Sequence, residues 1–214
     1  MLVLHTYFRS SAAYRVRIAL ALKGLAYQSV PVHLLRGGGE QHGAAFAALN
    51  PAELVPVLVD GDVTLTQSLP IIEYLDELHP SPPLLPGAPA DRARVRALAQ
   101  LIACEMHPLN NLRVLQYLQG PLGLDAAGKS AWYAHWLGLG FKALEAMLQD
   151  PRTGSFCHGE TPTLADCCLV PQIYNAERFQ VAMHDYPQLR RIAEACRSLP
   201  AFVQAAPEAQ ADAI

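Results

Sequence analysis

Five prolines fall in the run His79-Pro80-Ser81-Pro82-Pro83-Leu84-Leu85-Pro86-Gly87-Ala88-Pro89. Each removes a backbone donor and blocks the turn before it, so neither a helix nor an interior strand continues through the run. The stretch therefore divides the chain. Residues 1–80 alternate short apolar runs with helical patterns, 81–90 read as a linker, and 91–214 are helical almost throughout. A chain of 214 residues is long enough for two small domains with a hydrophobic core.

Composition excludes several functions. The chain is 51% hydrophobic, which rules out disorder. With 16 Lys plus Arg against 19 Asp plus Glu, the net charge of −3 offers no basic face for nucleic acid, and 7% aromatics are too few for a base-stacking platform. Cysteines 104, 157, 167, 168 and 196 form no CxxC pair, and the eight histidines form no ligand cluster. No metal and no disulfide framework are expected, and a reducing compartment fits. Arg9 follows the first apolar residues at once, and no apolar run approaches membrane-spanning length. A cytoplasmic protein with no membrane or nucleic-acid partner is the expectation.

In the first half, Leu2–Tyr7 reads as a buried strand, Ser10-Ser11 as a cap, and Ala12–Lys23 as a helix stopped at Gly24. Tyr27–Val32 is a second strand and Gln41–Leu49 a short helix. Val57–Asp60 and Val63–Thr66 form a hairpin around Gly61-Asp62, and Leu69–Leu78 a helix that Ser68 caps. The order is βαβαββα. Its opening strand–helix–strand implies a parallel pair with a right-handed crossover. In the second half, helices are expected near 91–119, 126–149, 163–179 and 187–197. Thr163-Leu164-Ala165-Asp166 is a capping signal.

Three features of the first half bear on chemistry. Ser10-Ser11, at a strand end and a helix start, combine hydroxyls with the positive helix terminus, an environment that stabilises a thiolate. Pro56 opens a strand, and a cis Val55-Pro56 bond would turn Val55 outward to pair with an extended peptide ligand. Gln67-Ser68 precede a helix, a place for a carboxylate. Taken singly, each also reads as a plain cap or loop residue; their order within one βαβαββα pattern is the stronger signal.

The residues carry a resemblance over essentially the whole chain. Tyr7-Phe8-Arg9-Ser10-Ser11-Ala12-Ala13-Tyr14-Arg15-Val16-Arg17-Ile18-Ala19-Leu20 resembles the signature of zeta-class glutathione transferases, the maleylacetoacetate isomerase family. So do Leu49-Asn50-Pro51, Val55-Pro56, Gln67-Ser68-Leu69-Pro70-Ile71-Ile72-Glu73-Tyr74-Leu75, His107-Pro108-Leu109-Asn110-Asn111, Thr163-Leu164-Ala165-Asp166, Leu169-Val170-Pro171-Gln172 and Asn175-Ala176-Glu177-Arg178-Phe179. The resemblance implies a thioredoxin-like α/β domain followed by an all-α domain, a cytosolic homodimer, glutathione as cofactor, and cis–trans isomerisation of a small maleyl dicarboxylate. One departure stands out: Ala12 occupies the place of the family's usual cysteine, a feature shared with related bacterial maleylpyruvate isomerases.

The resemblance also implies site residues. Ser10 or Ser11 would hydrogen-bond the thiolate, Val55 would pair with the cysteinyl backbone, and Gln67 and Ser68 would hold the γ-glutamyl end. His42 would reach the glycyl end, and Asn110 or Asn111 would contact glutathione across a dimer. Arg9, Arg113 and Arg178 would clamp the substrate carboxylates, since guanidinium forks suit carboxylates; Arg113 equally reads as a surface helix charge. His107 reads as a kink residue or a site residue. Arg15 and Arg17 read as solvated or interface charges, and Cys167, Cys168 and Cys196 as small core residues. Trp132 and Trp136 share a helix face. Maleylacetoacetate, maleylpyruvate and small α-halo acids remain candidate substrates, and a glutathione-binding regulatory module is the non-enzyme alternative.

Overall fold

A computed structural model describes residues 1–213. They form two compact units, Met1–Leu85 together with the stretch that begins at Arg197, and Pro86–Cys196. The sequence pattern assigns residues 91 to 214 to the helical half. In the fold, the last stretch packs on the sheet unit instead, where α9 (Pro200–Ala205) lies against α1 (Ser11–Leu22). Its apolar Phe202 and Ala205 bury there, which a helix of six residues does not advertise in sequence.

The sheet unit follows the expected order: β1 (Leu2–Thr6), α1, β2 (Tyr27–Pro31), α2 (Ala44–Leu49), β3 (Val57–Asp60), β4 (Val63–Thr66) and α3 (Ser68–Leu78). Strand order is β2-β1-β3-β4. β1 and β2 are parallel with Leu2 opposite Tyr27; β1/β3 and β3/β4 are antiparallel. α1 is apolar around most of its circumference and almost wholly buried, the pattern of a helix covered on all sides. It stops where the Leu25 N–H reaches the Leu20 carbonyl and the Gly24 N–H reaches that of Ala21, a termination that needs the positive φ of 63° at Gly24.

A buried staple fixes the start of the proline run. The Lys23 ammonium donates to Asp76 at 2.8 Å and to the carbonyls of His79 and Pro82 at 2.6 and 2.9 Å. Asp76 in turn accepts from the N–H groups of Leu84 and Leu85 at 2.8 and 3.3 Å. The linker is thus tied to the ends of α1 and α3 by charge-assisted bonds rather than left as a free tether.

The helical unit contains α4 (Pro89–Gln100), α5 (Leu112–Gln119), α6 (Ala126–Met147), α7 (Leu164–Arg178) and α8 (Pro187–Arg197). The single helix expected over 91–119 is broken. A π-helical segment, Leu101–Met106, follows α4, and a 3₁₀ turn, Pro108–Asn110, leads to α5. Pro108 supplies no N–H to the ladder, and His107 donates to Ile102, five residues back. The segment seats in a notch on α6: a Cβ added at Gly140 would lie 2.3 Å from Met106 Cγ. α7 is the buried axis of the unit. Asp166 at its start is fully buried and accepts from the Thr163 N–H, the Thr163 hydroxyl and the Cys157 N–H at 2.7, 2.9 and 2.8 Å, so the capping signal is realised. Burial pushes the Asp166 carboxyl up, and the two backbone donors oppose that shift.

Asp76→Ala should remove the anion beneath Lys23 and orphan two buried N–H groups. A loss of about 2–4 kcal/mol in urea unfolding is the expected outcome. A change below about 0.5 kcal/mol would show that the staple contributes nothing.

Candidate active site

In the sheet unit, Arg9, Ser10 and Ser11 lie at the N-terminus of α1. The turn Tyr7–Ser10 joins β1 to α1, closed by the Ser10 N–H donating to the Tyr7 carbonyl at 2.9 Å. Ser10 is the N-cap of α1, and its Oγ accepts from the Ala13 N–H at 3.2 Å. Accepting leaves the hydroxyl proton free to point at an anion. Ser11 is buried as the first helical residue, whereas Ser10 stays half-exposed. Arg9 is exposed, its guanidinium 4.7 Å above the Phe8 ring.

Val55 precedes Pro56 through a cis bond and packs in one buried cluster with Tyr7, Phe8, Val32, Phe46 and Val57. The Val55 segment is thereby brought against the Ser10 turn. Ser68 is the first residue of α3 rather than its cap; the cap position falls to Gln67, which is exposed at φ 68° and makes no capping bond. Ser68 is buried, and its Oγ accepts from Arg15 Nη1 at 3.2 Å. His42 lies in a 3₁₀ turn, Glu40–His42, with Nδ1 2.5 Å from Glu53 and Nε2 3.0 Å from the Gln41 amide.

Arg15 and Arg17 are not solvated charges. Both are buried, at 2% and 1% exposure. The reason is the all-round burial of α1, which leaves no outward face for either. Arg15 reaches the N-terminus of α3, while Arg17 donates to the Thr6 hydroxyl and to the carbonyls of Tyr7, Phe8 and Ala205 at 3.1, 3.4, 3.0 and 3.0 Å. These two, with Phe8 and Asp212, are the residues that sequence reasoning missed. The available signal was an apolar helix with two arginines in it: in such a helix, a charge is buried by the company it keeps.

In the helical unit, a second group assembles. Arg178, exposed in the last turn of α7, lies with its guanidinium 4.7 Å from the Phe179 ring. Phe179 stacks on Tyr133 of α6 at 3.8 Å and 14°. Burial holds the Tyr133 phenol above its ordinary range, and the Arg178 charge pulls the other way. Asn110, buried, donates from its amide to the Tyr133 carbonyl at 3.4 Å. Asn111 caps α5, accepting from the Arg113 N–H at 3.2 Å, and its amide lies 3.5 Å from His107 Nε2. Arg113 itself is exposed. Trp132 and Trp136 meet edge to face at 5.6 Å, and the Trp132 indole donates to the Leu109 carbonyl. Cys167, Cys168 and Cys196 are core residues. Among the described residues, no group of metal-ligating side chains forms, and no helix is long and apolar enough to cross a membrane.

The chain thus joins a mixed sheet, with a cis-proline just before β3 and a serine cap on α1, to a helical unit. Comparison with known proteins identifies the class. Residues 4–83 match the family described as glutathione S-transferase, N-terminal domain, and 130–195 match glutathione S-transferase, C-terminal domain. A Vibrio cholerae serotype O1 protein named "Probable maleylacetoacetate isomerase" is 57% identical over 99% of this chain and 98% of its own. A solved holo structure of maleylpyruvate isomerase, described as a bacterial zeta-class glutathione S-transferase, superposes with a TM-score of 0.96 at 48% identity, covering 99% of this chain and 100% of that one. Maleylacetoacetate isomerase from Methylobacterium extorquens AM1, solved with bound malonate and glutathione, gives 0.95 at 41% identity over 99% of each chain. The chain belongs to the glutathione S-transferase family, in the zeta-class branch that holds these isomerases.

Arg17→Met should leave four acceptors without their buried donor, at about 1–3 kcal/mol each where water does not replace it. Unfolding in urea should show a loss of about 3 kcal/mol or more, with Arg17→Lys recovering only part, since a single ammonium cannot span the four positions. Wild-type stability in Arg17→Met would refute the anchoring role.

Proposed function

We propose that this chain is a glutathione-dependent maleylacetoacetate isomerase, acting as a homodimer in the cytoplasm. The observation that carries the reading is Ser10: a cap at the positive end of α1 whose hydroxyl proton is not used within the helix. When bound, glutathione supplies a thiolate that adds reversibly to a conjugated cis double bond, making it single and free to rotate before the thiolate leaves and the trans alkene forms.

The residues of the chain fit that cofactor. Ser10 donates to the thiolate, with Ser11 behind it as the first helical residue. Val55 offers extended backbone beside the same turn. Gln67 and Ser68 open α3, where the helix terminus and the Arg15 guanidinium on Ser68 together favour a carboxylate. His42, paired with Glu53, serves the glycyl end, and Asn110 or Asn111 would contact glutathione across a homodimer. For the substrate, Arg9, Arg113 and Arg178 are exposed cations available to a dicarboxylate, two of them fixed over aromatic rings. A guanidinium held near the substrate carbonyl would favour the negative charge that develops on its oxygen. Ala12 removes the family's cysteine and none of these groups.

Maleylpyruvate is the second reading. It is favoured by the 0.96 superposition on maleylpyruvate isomerase and by Arg113 as a further carboxylate clamp. Ultraviolet absorbance of each maleyl compound, with and without glutathione, tests both. Isomerisation of maleylacetoacetate only in the presence of glutathione is the expected result; turnover without glutathione, or of neither compound, refutes the reading.

Two substitutions follow from the roles assigned. Ser10→Ala should lower kcat/KM by about 10²-fold while leaving urea stability within about 1 kcal/mol, apart from the lost cap. If Ser11→Ala alone does this, the serines are exchanged. Arg178→Ala should raise KM for the maleyl substrate by about tenfold or more and leave glutathione affinity nearly unchanged. An equal loss of both would place Arg178 in the cofactor site or the fold.

A further inference from the structure

We infer that Asp212, near the end of the chain, is a positioning residue for the thiolate site, an inference that rests on the role given to Ser10. The peptide unit between Tyr7 and Phe8 is held at both of its polar ends. Its carbonyl, that of Tyr7, accepts from the Ser10 N–H at 2.9 Å and from Arg17 Nη1 at 3.4 Å. Its N–H, that of Phe8, donates to Asp212 Oδ2 at 3.0 Å, across 204 residues of sequence. The next carbonyl, that of Phe8, accepts from Arg17 Nη2 at 3.0 Å.

The C-terminal stretch is therefore fastened twice to one turn. Ala205 accepts from Arg17 Nε at 3.0 Å, and Asp212 takes the Phe8 amide. Ala213 packs against the cluster that contains Tyr7, Phe8 and Val55. Consequences for the site follow from geometry. Rotation of the Tyr7–Phe8 peptide plane would break the Ser10 N–H bond that closes the turn, and would swing the Phe8 ring that carries Arg9. An oxygen acceptor at Asp212 satisfies an amide that would otherwise be left without its partner. Asp212 thus sets the orientation of two side chains assigned to chemistry, Ser10 and Arg9, while touching neither the thiol nor the substrate.

Asp212 should act on kcat through the thiolate and leave cofactor binding alone. The test uses the full-length chain, with Asp212→Ala beside Asp212→Asn, which keeps an oxygen acceptor. Four quantities are read: amide hydrogen exchange at Phe8, ultraviolet titration of the thiol of bound glutathione, steady-state kinetics with maleylacetoacetate, and urea stability. In Asp212→Ala, protection at Phe8 should vanish. The bound thiolate fraction below its titration midpoint should fall about tenfold, and kcat with it, while glutathione Kd moves by less than about threefold. Asp212→Asn should restore protection and kcat to within about threefold of wild type.

Unchanged titration and kcat in Asp212→Ala overturn the inference. An Asn variant as impaired as the Ala variant also overturns it, because charge rather than the acceptor would then matter. Parallel loss of kcat, Kd and stability would make Asp212 a fold support only. A wild-type chain that binds glutathione without ionising it sinks the Ser10 reading first, before any substitution is made, and the inference falls with it.

Discussion

The Arg17 guanidinium organises the sheet unit. A buried cation is costly in an apolar core unless its donors are satisfied. Here that demand is met by oxygens belonging to the end of β1, the turn after it and the end of α9. The same bonds that solvate the cation therefore dictate where the turn runs and where the C-terminal helix lies. Ser10 follows from this arrangement. Its place at the mouth of α1 is set by a turn whose carbonyls have been claimed, so the cap is aimed by the interior of the protein rather than by its own local preference.

The strand and helix order of the first half was legible because it is written in local signals: alternating apolar runs, Gly61-Asp62, Gly24 after a helical stretch. What was not legible is non-local. Arg15 and Arg17 look like surface charges when judged one at a time, and only the partners that three separate elements bring make their burial tolerable. Asp212 carries no motif at all; its significance is a single bond to an amide at the other end of the chain. The break between α4 and α5 was half-visible, since Pro108 forbids a continuous ladder, but the π-helical turn before it depends on the Gly140 notch of α6, which no spacing within 91–119 encodes. Among the candidate site residues, the placing of the serines, Val55, Gln67 and Ser68 on turns and helix starts was readable because that turn chemistry is local. Phe8 and Tyr133 were not, since each matters through the ring or guanidinium laid against it.

The two units solve different electrostatic problems. The sheet unit collects fixed positive potential: two helix N-termini, with a buried guanidinium bonded at one of them. Donors held by helix starts need little rearrangement to meet a localised negative charge. The helical unit offers Arg178 on a stacked pair of rings, an exposed cation with restricted rotamers. A guanidinium laid on a ring face loses less freedom when it later meets an anion than one that is free to rotate.

All five cysteines belong to the helical unit. Cys157, Cys167, Cys168 and Cys196 are buried, and burial pushes the Cys157 thiol well above its ordinary range. The exposed thiol, Cys104, belongs to the π-helical segment of the helical unit and not to the turn before α1. At that turn the third residue of the Ser10-Ser11-Ala12 sequence is an alanine, which carries a methyl group in place of a thiol. The turn before α1 thus brings together a serine cap and helix N–H groups without a cysteine, so a thiolate held there would belong to a bound molecule.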